Sequence, residues 1–180
     1  MKKIIITKKY IIISILILIF ILLKISQFSS IQRNFSSYNE KKFAAKCIKV
    51  IDGDTIDISF LNEIPNDCKK NERIRLIGIN TPELDKNGIP EYFAKEAFYW
   101  TNGELLNQYI YIQFDPLTDK RDKYSRLLCY VYVDKFCINR ILIERGYAKF
   151  YDNYPFKSET MNQFLKAEKY AKINKLGMWQ

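Results

Sequence analysis

The chain has 180 residues, 48% hydrophobic and 15% aromatic, which suffices for one domain with a real core. It contains no histidine, which excludes Ser-His-Asp hydrolysis, phosphohistidine chemistry, His-metal nucleases and His-ligated zinc. Its net charge of +9 invites an anionic partner, but Lys2, Lys3, Lys8, Lys9, Lys24 and Arg33 supply six of those charges before any acid occurs, and the remaining 23 basic and 20 acidic residues sum to only +3.

The first four lysines precede an apolar run at 10–23, interrupted only by Ser14. As a helix its 14 residues span roughly 21 Å, short of a ~30 Å bilayer core. That length fits the apolar region of a signal peptide. Lys24-Ile25-Ser26-Gln27-Phe28 offers no small-x-small cleavage site, so an uncleaved anchor with snorkelling lysines is the other reading. In both readings the basic flank stays in the cytoplasm and the rest of the chain is extracytoplasmic, secreted or membrane-tethered. Residues 1–25 are therefore expected to be a signal peptide or signal-anchor, 26–42 a polar linker, and 43–180 the folded domain.

Within that domain, 43–51 and 55–61 are β-leaning runs joined by the tight-turn signal Asp52-Gly53-Asp54. Residues 62–71 are polar, contain Pro65 and read as a loop, and an Ile/Leu-rich run predicts a third strand at 73–79. Phe93, Ala97, Trp100, Thr101 and Leu105 recur at near-helical spacing, which predicts a helix over 89–106. Alternating Tyr and Ile predict a strand at 109–114; a charged loop follows, then a hairpin of 127–133 and 136–138. A short helix over 139–146 ends at Gly146, and Ser158 is expected to cap a last amphipathic helix reaching about 174. The pattern is β-rich α+β: about five short strands and three helices, as in a small OB-type barrel.

Cys47, Cys68, Cys129 and Cys137 permit three disulfide pairings in an oxidising compartment, and none has zinc-site spacing. A two-residue turn at Asp134-Lys135 places position 137 opposite Tyr132, so Cys129 and Cys137 point to opposite faces and are not expected to bridge. For the others, buried packing and a disulfide are both open.

The chemistry-bearing residues cluster in three stretches. The first is Val50-Ile51-Asp52-Gly53-Asp54-Thr55; the second is Arg75-Leu76-Ile77-Gly78-Ile79-Asn80-Thr81-Pro82-Glu83; the third is Asp122-Lys123-Tyr124-Ser125-Arg126-Leu127-Leu128. Carboxylate and carbonyl oxygens beside turns suit a hard cation such as Ca²⁺, and two arginines can clamp one phosphodiester. Taken singly, the aspartates also fit turn-capping roles and the arginines surface ion pairs.

These stretches, with Leu142-Ile143-Glu144-Arg145-Gly146-Tyr147-Ala148-Lys149 and the closing Gly177-Met178-Trp179, strongly resemble the staphylococcal nuclease (thermonuclease) family in order and spacing. The resemblance covers roughly residues 44–179. It implies an OB-fold five-stranded barrel with three helices and a Ca²⁺-dependent phosphodiesterase. Such an enzyme acts on DNA and RNA, with single strands favoured, and leaves 3′-phosphate and 5′-hydroxyl ends.

By the same resemblance Arg75, Glu83 and Arg126 are catalytic, with Glu83 the general base or positioner of the attacking water. Asp54, Asn80 and the Thr81 carbonyl hold the metal, Asp52 lies just outside it, and Tyr124, Tyr151 and Tyr154 contact substrate. The chain departs from the family pattern at Asn80, where an aspartate is usual, so a retained but weaker calcium site is expected. The stretch between Thr55 and Arg75, which holds Cys68, is several residues longer than usual. The domain is expected to be a monomer. The competing reading is an OB-fold binding module for nucleic acid or protein with impaired catalysis, and Asn80 is the feature that favours it.

Overall fold

The computed structural model describes residues 41–180, so the expected leader and most of the linker lie outside the described residues. Among the described residues no helix is long and apolar enough to cross a membrane.

Five strands close into a barrel. Strand β1 (Phe43–Asp52) pairs antiparallel with β2 (Thr55–Phe60), and β2 pairs with β3 (Asn71–Leu76). On its other edge β1 pairs with β5 (Tyr109–Gln113), which pairs with β6 (Leu127–Val133). A parallel contact of β3 with β6, from Ile74–Leu127 to Leu76–Cys129, shuts the ring. Two irregularities in β1, between Cys47 and Lys49 and between Val50 and Asp52, give this strand the bend that lets it serve both neighbours. Alternation fills the interior: Ile56, Ile58 and Phe60 of β2 are fully buried, while Asp57 and Ser59 between them are half-buried. Ile74, Leu76, Ile110, Ile112, Leu127, Cys129 and Val131 from the other strands join them in the core.

Three helices surround the barrel, α1 (Ala94–Leu105), α2 (Ile138–Glu144) and α3 (Ser158–Ile173), followed by a 3-10 turn at Gly177–Trp179. This is the OB-type barrel with three helices that the sequence implied. The register Tyr132–Cys137 between β6 and the short β7 (Phe136–Cys137) is also as expected, and all four cysteines are free thiols.

Three boundaries differ from expectation. The strand predicted at 73–79 stops at Leu76, because Gly78 takes φ +76° and turns the chain. Beyond it β4 (Ile79–Asn80) leaves the barrel and pairs with β8 (Lys149–Phe150), a strand the sequence did not suggest. The helix predicted from 89 starts at Ala94, since Phe93 is left-handed at φ +68° and Lys86 and Ile89 bridge each other in a preceding loop. Ser158 is the first residue of α3 and Lys157, not Ser158, takes the N-cap position.

Candidate active site

The turn between β1 and β2 carries Asp54, which is only 5% exposed. Its Oδ2 accepts from the Thr81 N–H at 2.9 Å and from Thr81 Oγ1 at 3.1 Å, and its Oδ1 accepts from Thr55 Oγ1 at 3.1 Å. Arg75, itself 7% exposed on β3, places Nη2 at 3.1 Å from Asp54 Oδ2. The same nitrogen donates to Asn80 Oδ1 at 3.0 Å, while Nη1 donates to the Leu76 carbonyl at 2.7 Å. Thus one guanidinium nitrogen marks the point on which the Asp54 and Asn80 oxygens converge.

Local structure explains this convergence. A Cβ on Gly53 would lie 2.8 Å from the Thr81 side chain, so glycine is needed for the two segments to approach. Thr101 of α1 donates to the Gly53 carbonyl at 2.8 Å and fixes the turn from behind. Asp52 accepts the Asp54 N–H at 3.0 Å, and burial together with the neighbouring Asp54 charge pushes its carboxyl up to about 7.

Arg126 immediately precedes β6. Asp122 organises it: Oδ1 accepts the backbone N–H groups of Tyr124 and Arg126, each at 2.9 Å, and Oδ2 accepts Arg126 Nε at 2.7 Å. Arg126 Nη1 then reaches to 3.5 Å from Thr55 Oγ1, beside Asp54. The exposed Tyr124 ring lies 5.4 Å from the Arg126 guanidinium. Tyr154 sits near both arginines: burial and Asp122 raise its hydroxyl, and the charges of Arg75 and Arg126 oppose that rise. Tyr124, Tyr154, Asp122 and Leu128 line a cleft of about 270 Å³. Tyr151 does not line it; its ring lies 6.1 Å from that of Tyr154.

Of the residues singled out in the sequence, Asp54, Arg75, Asn80 and Thr81 form one bonded cluster, and Arg126 joins it through Thr55. Glu83 is exposed; its backbone is held by the N–H it donates to Glu91 Oε2 at 3.0 Å and by the Glu91 N–H it accepts at 2.9 Å. Sequence reasoning misses Asp122, although an aspartate four residues before a candidate arginine is a readable signal for a positioning residue.

Among the described residues no three His, Cys, Asp or Glu side chains form a cluster able to hold a metal ion. A cation here would rest instead on Asp54, the Asn80 amide oxygen and the Thr81 carbonyl, hard oxygens of the kind Ca²⁺ prefers. Asp54 Oδ2 and Asn80 Oδ1 already face one cationic nitrogen, Arg75 Nη2, at 3.1 and 3.0 Å, so the set fits a cation.

Known proteins resemble the chain over most of its length. A family model described as "Staphylococcal nuclease homologue" matches residues 73–180. The thermonuclease of Staphylococcus hyicus is 36% identical, over 80% of this chain and 79% of its own length. The thermonuclease of Staphylococcus intermedius is 32% identical over 100% of this chain and 99% of its own. Endonuclease YncB of Bacillus subtilis is 34% identical over 79% of this chain and 65% of its own. The chain belongs to the staphylococcal nuclease family.

Proposed function

We propose that this protein is a calcium-dependent nuclease that hydrolyses phosphodiester bonds of DNA and RNA to 3′-phosphate and 5′-hydroxyl ends. The observation that carries the reading is the convergence of two arginines on one turn. Arg75 Nη2 lies at Asp54 Oδ2, and Arg126 Nη1 lies at Thr55, the residue bonded to the other Asp54 oxygen. Two guanidiniums so placed can hydrogen-bond the non-bridging oxygens of one phosphodiester and stabilise the charge that builds there.

Glu83 positions a water and accepts its proton. The water oxygen bonds to phosphorus in line with the departing 5′ oxygen, and the P–O5′ bond breaks. The released oxygen takes a proton to become the 5′-hydroxyl, and the phosphate stays on the 3′ side. Tyr124 and Tyr154 hold a neighbouring nucleotide by stacking in their cleft. Asp54, Asn80 and the Thr81 carbonyl would hold the calcium, which when bound supplies positive charge against a phosphate oxygen. The basic, apolar start of the chain supports export, and extracellular calcium modules work with weak sites of this kind.

The test is cleavage of single-stranded DNA and RNA by the full-length chain across a Ca²⁺ titration with a chelator control. Calcium-dependent cleavage leaving 3′-phosphates is the expected result; binding without cleavage at every Ca²⁺ concentration would replace the enzyme with a binding module. Glu83→Gln should lower kcat by about 10²- to 10⁴-fold and leave the affinity for DNA unchanged.

A further inference from the structure

Besides the tyrosine cleft, the reaction centre borders a second depression. It has a volume of about 360 Å³ and is lined by Asn80, Thr81, Pro82, Tyr92, Lys149 and Trp179, among others. We propose that this cleft is a second nucleotide subsite. It takes the part of a single strand that runs past the scissile phosphate on the side away from Tyr124 and Tyr154, stacking a base on Tyr92 and pairing a phosphate with Lys149. The inference rests on the nuclease reading and adds the path of the substrate to it.

The β4–β8 ribbon places the cation. Lys149 is the direct antiparallel partner of Asn80, so the two side chains share a face. The cleft therefore begins where the Asp54–Arg75–Asn80 cluster ends, and a strand leaving that cluster over Thr81 meets Lys149 next. Lys149 is exposed, with its ammonium 5.8 Å from the Trp179 ring. The wall behind it is fixed: the Met178 N–H donates to the Gly146 carbonyl at 2.9 Å, and Lys172 Nζ lies 4.5 Å from the Trp179 ring.

Tyr92 provides the stacking surface. It is 69% exposed, so most of its ring is open to a base. From behind it is backed by Phe93 at 5.8 Å, then Tyr147 at 5.7 Å, Trp100 at 5.4 Å and the Arg145 guanidinium at 5.5 Å. A ring held by such a ladder loses little freedom when a base stacks on it.

Charge agrees with a phosphate ligand. Glu91 is the acid lining the cleft, and its oxygens already accept from Lys86 Nζ and the Glu83 N–H. Glu168, on the Lys172 side, is bonded to the Phe150 N–H and to Lys172. Both carboxylates thus have cationic partners, and Lys149 gives the cleft its positive balance.

The experiment uses the full-length chain carrying Glu83→Gln to silence cleavage, with labelled single-stranded oligonucleotides of increasing length read by fluorescence anisotropy in Ca²⁺. In that parent, affinity should climb once the strand outgrows the tyrosine cleft. Tyr92→Ala and Lys149→Gln should remove that climb, weakening long strands by about 5- to 100-fold while leaving dinucleotide affinity unchanged. Lys149→Gln should also reduce the salt slope by about 0.7, and Lys149→Arg should restore it. Because Tyr92 is exposed, its truncation does not endanger folding. Variants that follow the parent at every length, or that weaken dinucleotides and long strands equally, would overturn the subsite while the nuclease reading stands. A parent that binds no oligonucleotide of any length would overturn both.

Discussion

Asn80 sets the charge of the candidate metal edge. Its amide oxygen shares Arg75 Nη2 with Asp54 Oδ2, at 3.0 and 3.1 Å, so the side chain already points where a second carboxylate would serve. Calcium affinity follows the number of charged ligands, and an amide leaves Asp54 as the one carboxylate in the predicted set. Asn80→Asp should therefore tighten calcium by at least about tenfold, equivalent to about 1.4 kcal/mol. Isothermal titration of Ca²⁺ into the protein measures this without any turnover. An unchanged dissociation constant would mean that the oxygen at position 80 does not touch the metal.

At the scale of elements, Gly78 governs how the chain leaves the barrel. It is left-handed at φ +76°, its carbonyl accepts the Tyr151 N–H at 3.1 Å, and a Cβ there would lie 2.7 Å from the Phe164 ring of α3. Gly78→Ala should cost about 1–2 kcal/mol in backbone strain and about 1–3 kcal/mol in overpacking against that buried ring. For a domain of this size that is a fall in Tm of roughly 6–15 °C, measurable by calorimetry. A loss of only a degree or two would show that α3 shifts freely on the barrel. The same glycine explains what the sequence could and could not disclose. The barrel strands were legible because alternation such as Ile56, Ile58, Phe60 is a periodic signal, and the motif residues from Asp54 to Arg126 were legible by resemblance. The β4–β8 ribbon was not, since two-residue strands carry no period and their pairing depends on a turn set by one φ angle. With it went the placement of Lys149 opposite Asn80, and the sharing of Arg75 between two oxygens.

For the molecule as a whole, the question is whether the closed ring opens as one unit. Cys47 on β1 and Cys129 on β6 are both fully buried, and β5 stands between their strands. Burial pushes the Cys47 thiol up to about 11 and raises the Cys129 thiol well above its ordinary value. Neither offers a thiolate to a reagent while the barrel is shut. Cys68 and Cys137, which are half-buried, should label first in native buffer. The two core thiols should follow much later and at one shared rate. That rate should rise with denaturant by the same slope as global unfolding, because breaking any seam of a closed sheet releases the rest. Mass spectrometry of the alkylated full-length chain separates the four sites. Distinct, denaturant-independent rates for Cys47 and Cys129 would show that the β1 and β6 sides open separately. In that case the turn bearing Asp54 and the start of β6, which Arg126 immediately precedes, would move independently, and the barrel alone could not hold Arg126 beside that turn.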